Sequence, residues 1–204
     1  MPIPEITVAT PADREVVVSC LVAAFVKDPV LRYLFPEEAT YPAYAAAFFG
    51  HLFDKRVRKQ TIWTIERGAS TAIWEPPQTS NDSPGDDSLS AHLPSGPLAR
   101  VLAYDRALHA ALPAAPFWYL GVLATHPANT GRGWGHAVMN AGLSRAAADG
   151  LPAVLETSNP GNVEMYRRAG WQVVRTVTDP LPIWVMRQST SSRQRPDGYS
   201  VSSG

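Results

Sequence analysis

Hydrophobic and polar positions change period several times along this 204-residue chain, and each change marks the edge of an element. Val17, Leu21, Val22 and Phe25 recur at helical spacing until Asp28 and Pro29 stop the run. Thr10, in T-P-A-D, predicts the cap of this helix, with Pro11 as its first residue and Asp13 near its positive end. A second helix is expected from Pro42 to about Arg58, with Phe48, Phe49, Leu52 and Phe53 on its apolar side. Runs rich in β-branched and aromatic residues predict strands at Ile6 to Ala9, Thr61 to Glu66 and Ser70 to Trp74, the last two joined as a hairpin at Arg67 and Gly68.

The pattern lapses between Glu75 and Gly96, where Pro, Ser, Asp and Gly dominate, and a long mobile excursion is expected over 75–96. Periodicity returns as a helix from Pro97 to Leu112 and a strand from Phe117 to Thr125. A helix ending near Asp149 follows, with Ala137, Ala141, Gly142 and Ala146 as a small-residue face that can lie close on a sheet. Next come a strand from Ala153 to Thr157 and a short helix starting through Asn159 and Pro160 and closed by Gly170 in a left-handed cap. Two strands end the pattern, Gln172 to Thr178 and Ile183 to Arg187, bent around Pro180 and Pro182. Length allows one complete core, so a single domain is expected over 1–188, with a polar, Ser-rich, disordered tail over 189–204.

Charge narrows the partners. Eighteen basic side chains balance eighteen acidic ones, so no global field draws the protein to nucleic acid or an anionic membrane, and neither is expected as a partner. The N-terminus lacks a basic region followed by an apolar run, and no segment is apolar for long enough to span a bilayer; a cytoplasmic location is expected. Cys20 is the only cysteine, which excludes an intrachain disulfide and a cysteine metal cluster. It reads as a small core residue, and no metal site is expected.

Candidate chemistry concentrates in the loop T-G-R-G-W-G-H. Gly131, Gly133 and Gly135 alternate just before a helical pattern, so several N–H groups can turn toward one anion at a helix N-terminus, with Arg132 adding a charge-assisted contact. An ordinary tight turn also accounts for three glycines. The spacing does not fit a P-loop, and the dinucleotide fingerprint is matched only in that Glu156 lies near the distance of its acidic residue.

Read with its neighbours, the loop resembles the acetyl-CoA-binding core of the GNAT N-acetyltransferases: an apolar strand ending at a proline, [QR]-x-x-G-x-G/A, a helix, a strand, then N-x-x-x-Y-x-x-x-G-[FWY]. Leu120 to Pro127, Thr130 to Gly135, Ala153 to Thr157, and Asn162, Tyr166, Gly170 and Trp171 occupy those places in order. Thr130 departs from the family's Gln or Arg. Within the family, L-E-T-S-x-P-x-N-x-x-x-Y-x-R-x-G is most similar to enzymes of aminonucleoside antibiotic resistance. The resemblance implies a mixed α/β fold with a mostly antiparallel, centrally splayed sheet flanked by helices. It implies acetyl-CoA as donor, held by the backbones of Leu123, Ala124 and Thr125, by Thr130, Gly131, Arg132, Gly133, Trp134, Gly135 and His136, and by Asn162. It also implies a small-molecule primary amine as acceptor.

Tyr166 takes the position of the family's general acid, and a phenol with a pKa of about 10 can protonate a thiolate of about 8.5. A buried aromatic on a short helix is the alternative. Glu156, at the end of an otherwise apolar strand, is the candidate base for an amine that is almost wholly protonated at neutral pH; a strand-end residue bonded to backbone or to an arginine is the other reading. By resemblance, the acceptor lies against the loop D-P-V-L-R-Y-L-F-P, with Asp28, Tyr33 and Phe35, and against Trp74 and Trp118. For each of these residues taken singly, core packing or an Asp-Pro helix stop is the better explanation. Acetylation of a protein N-terminus or lysine, and an acyl-CoA-binding sensor without turnover, remain as alternatives. The oligomeric state, monomer or homodimer, stays open.

Overall fold

The computed structural model describes residues 4–77, 87–114 and 116–189. Seven strands form one sheet: β1 (Ile6–Val8), β2 (Ile62–Ile65), β3 (Ser70–Glu75), β4 (Trp118–Thr125), β5 (Ala153–Thr157), β6 (Gln172–Val177) and β7 (Ile183–Gln188), in the order β1-β2-β3-β4-β5-β7-β6. Every neighbouring pair is antiparallel except β4 and β5. The helices are α1 (Arg14–Ala24), α2 (Pro29–Leu34), α3 (Tyr41–Val57), α4 (Ser95–Ala111), α5 (Trp134–Ala148) and α6 (Pro160–Arg168). Two apolar layers result: α1 to α4 cover one face of the sheet, and α5 covers the other, with α6 at its margin.

One irregularity organises the centre. β3 and β4 run in register from Ser70 opposite Thr125 to Ile73 opposite Val122, and then Trp74 faces Leu120, so Gly121 is the extra residue of a bulge. The bulge exchanges the faces of β4. Before it, Trp118 and Leu120 pack toward α5; after it, Val122 and Ala124 pack toward α1, α3 and α4. β5 pairs with β4 only from Trp118 opposite Ala153 to Leu120 opposite Leu155. Beyond that point β4 keeps β3 as its partner and β5 keeps β7, so the two central strands diverge and leave a gap between them.

Several boundaries differ from the sequence pattern for local reasons. Pro11–Asp13 forms a 3-10 turn ahead of α1, closed by the Thr10 amide and hydroxyl, which donate to Asp13 Oδ2 at 2.9 and 2.8 Å. D-P-V-L-R-Y-L-F-P is not a plain loop, because Asp28 Oδ1 accepts from the amides of Val30 (2.9 Å) and Leu31 (3.1 Å) and nucleates the six residues of α2. Such a helix is too short to leave a periodicity. The expected excursion is narrower as well: Glu75 ends β3, ion-paired to Arg56 and Lys59 at 2.6 Å each, and Asp87–Ala91 is a 3-10 turn. Leu89 and Leu93 are buried in the core under α3 and α4, and that anchors the approach to α4. Its middle, 78–86, and the tail from 190 lie outside the described residues.

The small-residue face of α5 has a definite use. A Cβ built on Gly142 would lie 2.2 Å from the indole of Trp74, so the helix rests directly on that ring. Ala in a helix interior gains roughly 1 kcal/mol over Gly, but forcing a rigid buried indole aside costs about 1–3 kcal/mol. Gly142→Ala is therefore expected to lower Tm by up to about 8 °C in calorimetry. Its cost should shrink in a Trp74→Leu background.

Candidate active site

The loop before α5 has the backbone conformation that an anion cradle needs. Gly131 (φ 78°) and Gly133 (φ 76°) both take the left-handed conformation that residues with a Cβ avoid. The first amides of α5, a helix of 15 residues, have no acceptor within it, and Ala137 is the first whose N–H bonds back, to the Gly133 carbonyl at 3.1 Å. The Thr130 hydroxyl donates to the Pro127 carbonyl at 3.1 Å and so braces the turn instead of reaching out of it. Trp134 is buried and offers the loop only its amide, while the Arg132 guanidinium sits over its ring, 5.0 Å from the centroid. Beside this cradle, a cavity of about 410 Å³ is lined by His136, Gly161, Glu164, Met165, Arg168 and Ala169. Asn159 caps α6 by accepting from the Gly161 amide at 2.9 Å, and Asn162 Nδ2 donates to Thr157 Oγ1 at 3.5 Å, at the end of β5. Donors and dipole fit a pyrophosphate.

Where β4 and β5 part, a cluster of oxygen groups surrounds Glu156. Along β5 the faces alternate, so Glu156 joins Val154 on the α1 to α4 side. There the Tyr119 hydroxyl donates a short hydrogen bond to Glu156 Oε2, and the Tyr104 hydroxyl, from α4, donates to Oε1 at 3.4 Å. Burial pushes the Glu156 carboxyl up to about 7; the two phenols pull it down, and nearby Asp28 pushes it further up. Burial first, and the Glu156 charge second, hold Tyr104 and Tyr119 well above the ordinary phenol range. Asp28 is itself raised by burial, against the two amides it caps. Among the described residues, neither Asp28 nor Glu156 has a cationic partner.

Tyr166 approaches from α6, its ring edge-on to Trp171 with centroids 6.0 Å apart. The Trp171 amide donates to the Tyr166 carbonyl at 3.0 Å, and Gly170 takes φ 90°, so the C-terminal turn of α6 fixes the tyrosine's place. Tyr166 is 7 % exposed, and its hydroxyl makes no hydrogen bond among the described residues. Burial, and then the charges of Glu156 and Asp28, raise its pKa, so the phenol stays protonated.

The structure gathers Asp28, Glu156 and Tyr166 but not all the acceptor candidates. Phe35 is buried against Tyr44 and Phe48, Trp74 lies under Gly142, and Trp118 is buried on the α5 face with its Nε1 donating to Asp149 at 2.9 Å. These three are packing residues: the bulge turns Trp118 away from the Glu156 side, and Trp74 faces α5 too. Tyr33 is half-buried on α2. Tyr104, Tyr119 and Ser158 were missed. Ser158 is buried, with its hydroxyl beside that of Tyr104. Only the two-residue step linking Tyr119's partner Val154 to Glu156 could have signalled Tyr119; Tyr104 left no signal in its helical pattern.

Residues 95–171 match the Acetyltransferase (GNAT) family. The fold is shared with the crystal structure of histone acetyltransferase HPA2 and related acetyltransferase from Corynebacterium glutamicum, at 23% identity and TM-score 0.65, over 95% of this chain and 100% of that one. Arylalkylamine N-acetyltransferase 2 from Aedes aegypti superposes with TM-score 0.65 at 8% identity, over 91% of this chain and 98% of that one. Drosophila melanogaster polyamine N-acetyltransferase gives TM-score 0.58 at 14% identity, over 91% and 100%. At these identities the likeness is one of fold. The matched segment is therefore similar to the GNAT acetyltransferases, whose members use acetyl-CoA as donor, and the chain as a whole shares their fold. Among the described residues, no helix is long and apolar enough to cross a membrane, and no group of His, Cys, Asp and Glu is placed to hold a metal ion.

The raised Glu156 carboxyl has a consequence for stability. Its proton is held more tightly in the folded protein than at the ordinary value of 4.5, so stability is greatest below pH 4.5 on this account and falls as pH rises toward 7. The loss is on the order of 3 kcal/mol. Glu156→Gln should remove much of this slope, seen as Tm against pH between 4.5 and 8; parallel curves for the two proteins would contradict the assignment.

Proposed function

We propose that the protein transfers an acetyl group from acetyl-CoA to the primary amine of a small molecule, and the observation that carries this reading is the gap between β4 and β5 opening onto Glu156 and Tyr166. In it, the amides at the start of α5, with Gly131, Gly133 and Arg132, bind the pyrophosphate. The backbones of Leu123, Ala124 and Thr125, free of β5, hold the pantetheine arm and acetyl group, and one of their amides donates to the developing oxyanion. Asn162 steadies the arm where β5 meets α6. Bound there, acetyl-CoA supplies an activated acyl carbon.

Glu156, with a carboxyl near 7, is matched to taking the proton of an ammonium at neutral pH, directly or through water. Tyr119 and Tyr104 orient it. Tyr166 holds a proton for the departing sulfur. Asp28 and Tyr33 line the entry from α2. An enclosed cluster of phenols and carboxylates favours a small acceptor over a protein N-terminus or lysine. The likeness of L-E-T-S-x-P-x-N-x-x-x-Y-x-R-x-G to puromycin N-acetyltransferase makes an aminonucleoside antibiotic the first substrate to assay. We further take the protein to act in the cytoplasm.

The direct test is CoA release over amine antibiotics, polyamines and amino acid derivatives, with mass spectrometry of the product. Release with no amine, despite acetyl-CoA binding, would instead favour a sensor. Tyr166→Phe is expected to lower kcat by roughly 10²-fold or more while leaving acetyl-CoA affinity within about twofold. An unchanged single-turnover rate would take Tyr166 out of the acid role.

A further inference from the structure

We propose that Arg100 is a positioning residue for the acceptor: reaching from α4, it sets α2, the wall that Asp28 caps and Tyr33 lines, at a fixed distance from Glu156. This rests on the acetyltransfer reading above. Arg100 Nε donates to the carbonyl of Leu34, the last residue of α2, at 2.8 Å. Tyr104 comes one turn later on α4, and its hydroxyl donates to Glu156 Oε1 at 3.4 Å. Residues four apart share a helix face, so one face of α4 grips the acceptor wall and the candidate base together.

α2 needs such a hold. Six residues are too few to sustain a helix in water, and the ends of a helix carry amides and carbonyls without partners. Asp28 satisfies the amides of Val30 and Leu31 at one end, at 2.9 and 3.1 Å, and the Arg100 guanidinium satisfies the last carbonyl at the other by a charge-assisted bond. Leu31 and Leu34 bury the side between them. α4 is the firmer partner. Its 17 residues bury Val101, Tyr104, Leu108 and Ala111, and the Ala110 carbonyl accepts from Arg175 Nη1 of β6 at 2.9 Å. One helix is thus tied to β6, β5 and α2 at Ala110, Tyr104 and Arg100, over about 15 Å of its axis. The span open to an amine between α2 and Glu156 is therefore fixed by α4 and the Arg100 bond, which act as a gauge of acceptor size.

A homologous series of n-alkylamines, from propylamine to octylamine, reads that gauge. The wild-type protein should favour one chain length over its misfits in kcat/KM by on the order of tenfold. Arg100→Met keeps an apolar stem without the guanidinium. It should flatten the preference to within about threefold and raise KM for the favoured amine by on the order of tenfold, with acetyl-CoA affinity in calorimetry within about twofold. In hydrogen exchange without ligands, protection of α2 should fall by a similar factor while that of α5 stays unchanged. A wild-type protein indifferent to chain length, a uniform drop across the series, or unchanged protection of α2 would overturn the proposal. If no amine releases CoA, the acetyltransfer reading fails, and hydrogen exchange still decides whether Arg100 holds α2. If Arg100→Met does not fold, Arg100→Lys replaces it: lysine keeps the cation but loses the fixed Nε donor, so each readout should move the same way by a smaller factor, and unmoved readouts would overturn the proposal.

Discussion

Gly121 gives β4 one residue more than β3 can match, and both the gap and the pocket depend on that mismatch. A regular β4 would continue its ladder with β5 past Leu120, and the backbone from Val122 to Thr125 would be spent on sheet hydrogen bonds. The bulge bends the strand away instead. It also turns the side chains over, so that Tyr119 meets Glu156 on one face while Trp118 and Leu120 serve the α5 core on the other. Glycine suits the position because a Cβ there would lie 3.3 Å from the Tyr119 ring, the same ring that holds the carboxylate. One residue thus couples the opening of the sheet to the placing of Glu156.

Around that opening, burial and charge set the protonation of every group. Glu156 is desolvated enough to sit near neutrality, and two phenols prevent it from rising further. Those phenols are made poorer acids by the carboxylate they hold, as is Tyr166. The result is a carboxyl that exchanges its proton near pH 7 and a tyrosine that keeps its own. Environment raises both groups, and so brings the carboxyl to neutrality while moving the phenol further above it. Asp28 contributes twice, once through the cap that makes α2 a helix and once through its charge.

The second half of the chain was legible in order and kind. Glycine alternation before a helical run, the S-N-P-G entry and the Gly170 cap are local signals, and the cradle and the seat of Tyr166 lie where those signals put them. The first half was less legible. α2 is held by two side-chain bonds to one aspartate, with no periodicity to announce it, and Leu89 and Leu93 anchor a stretch whose composition reads as loop. Phe35, Trp74 and Trp118 looked like pocket aromatics because residue type does not say which face of a sheet a side chain takes.

Local patterning therefore determined the elements, the glycine turn before α5 and the residue types able to do acid–base chemistry, because each depends on backbone preferences within a few residues. Tertiary structure alone decided the rest. Tyr104, Tyr119 and Glu156 come from three elements, and only sheet register, a one-residue bulge and the docking of α4 bring the two hydroxyls to one carboxylate and desolvate it. Burial of a charge depends on what lies across the fold, and no stretch of sequence contains that.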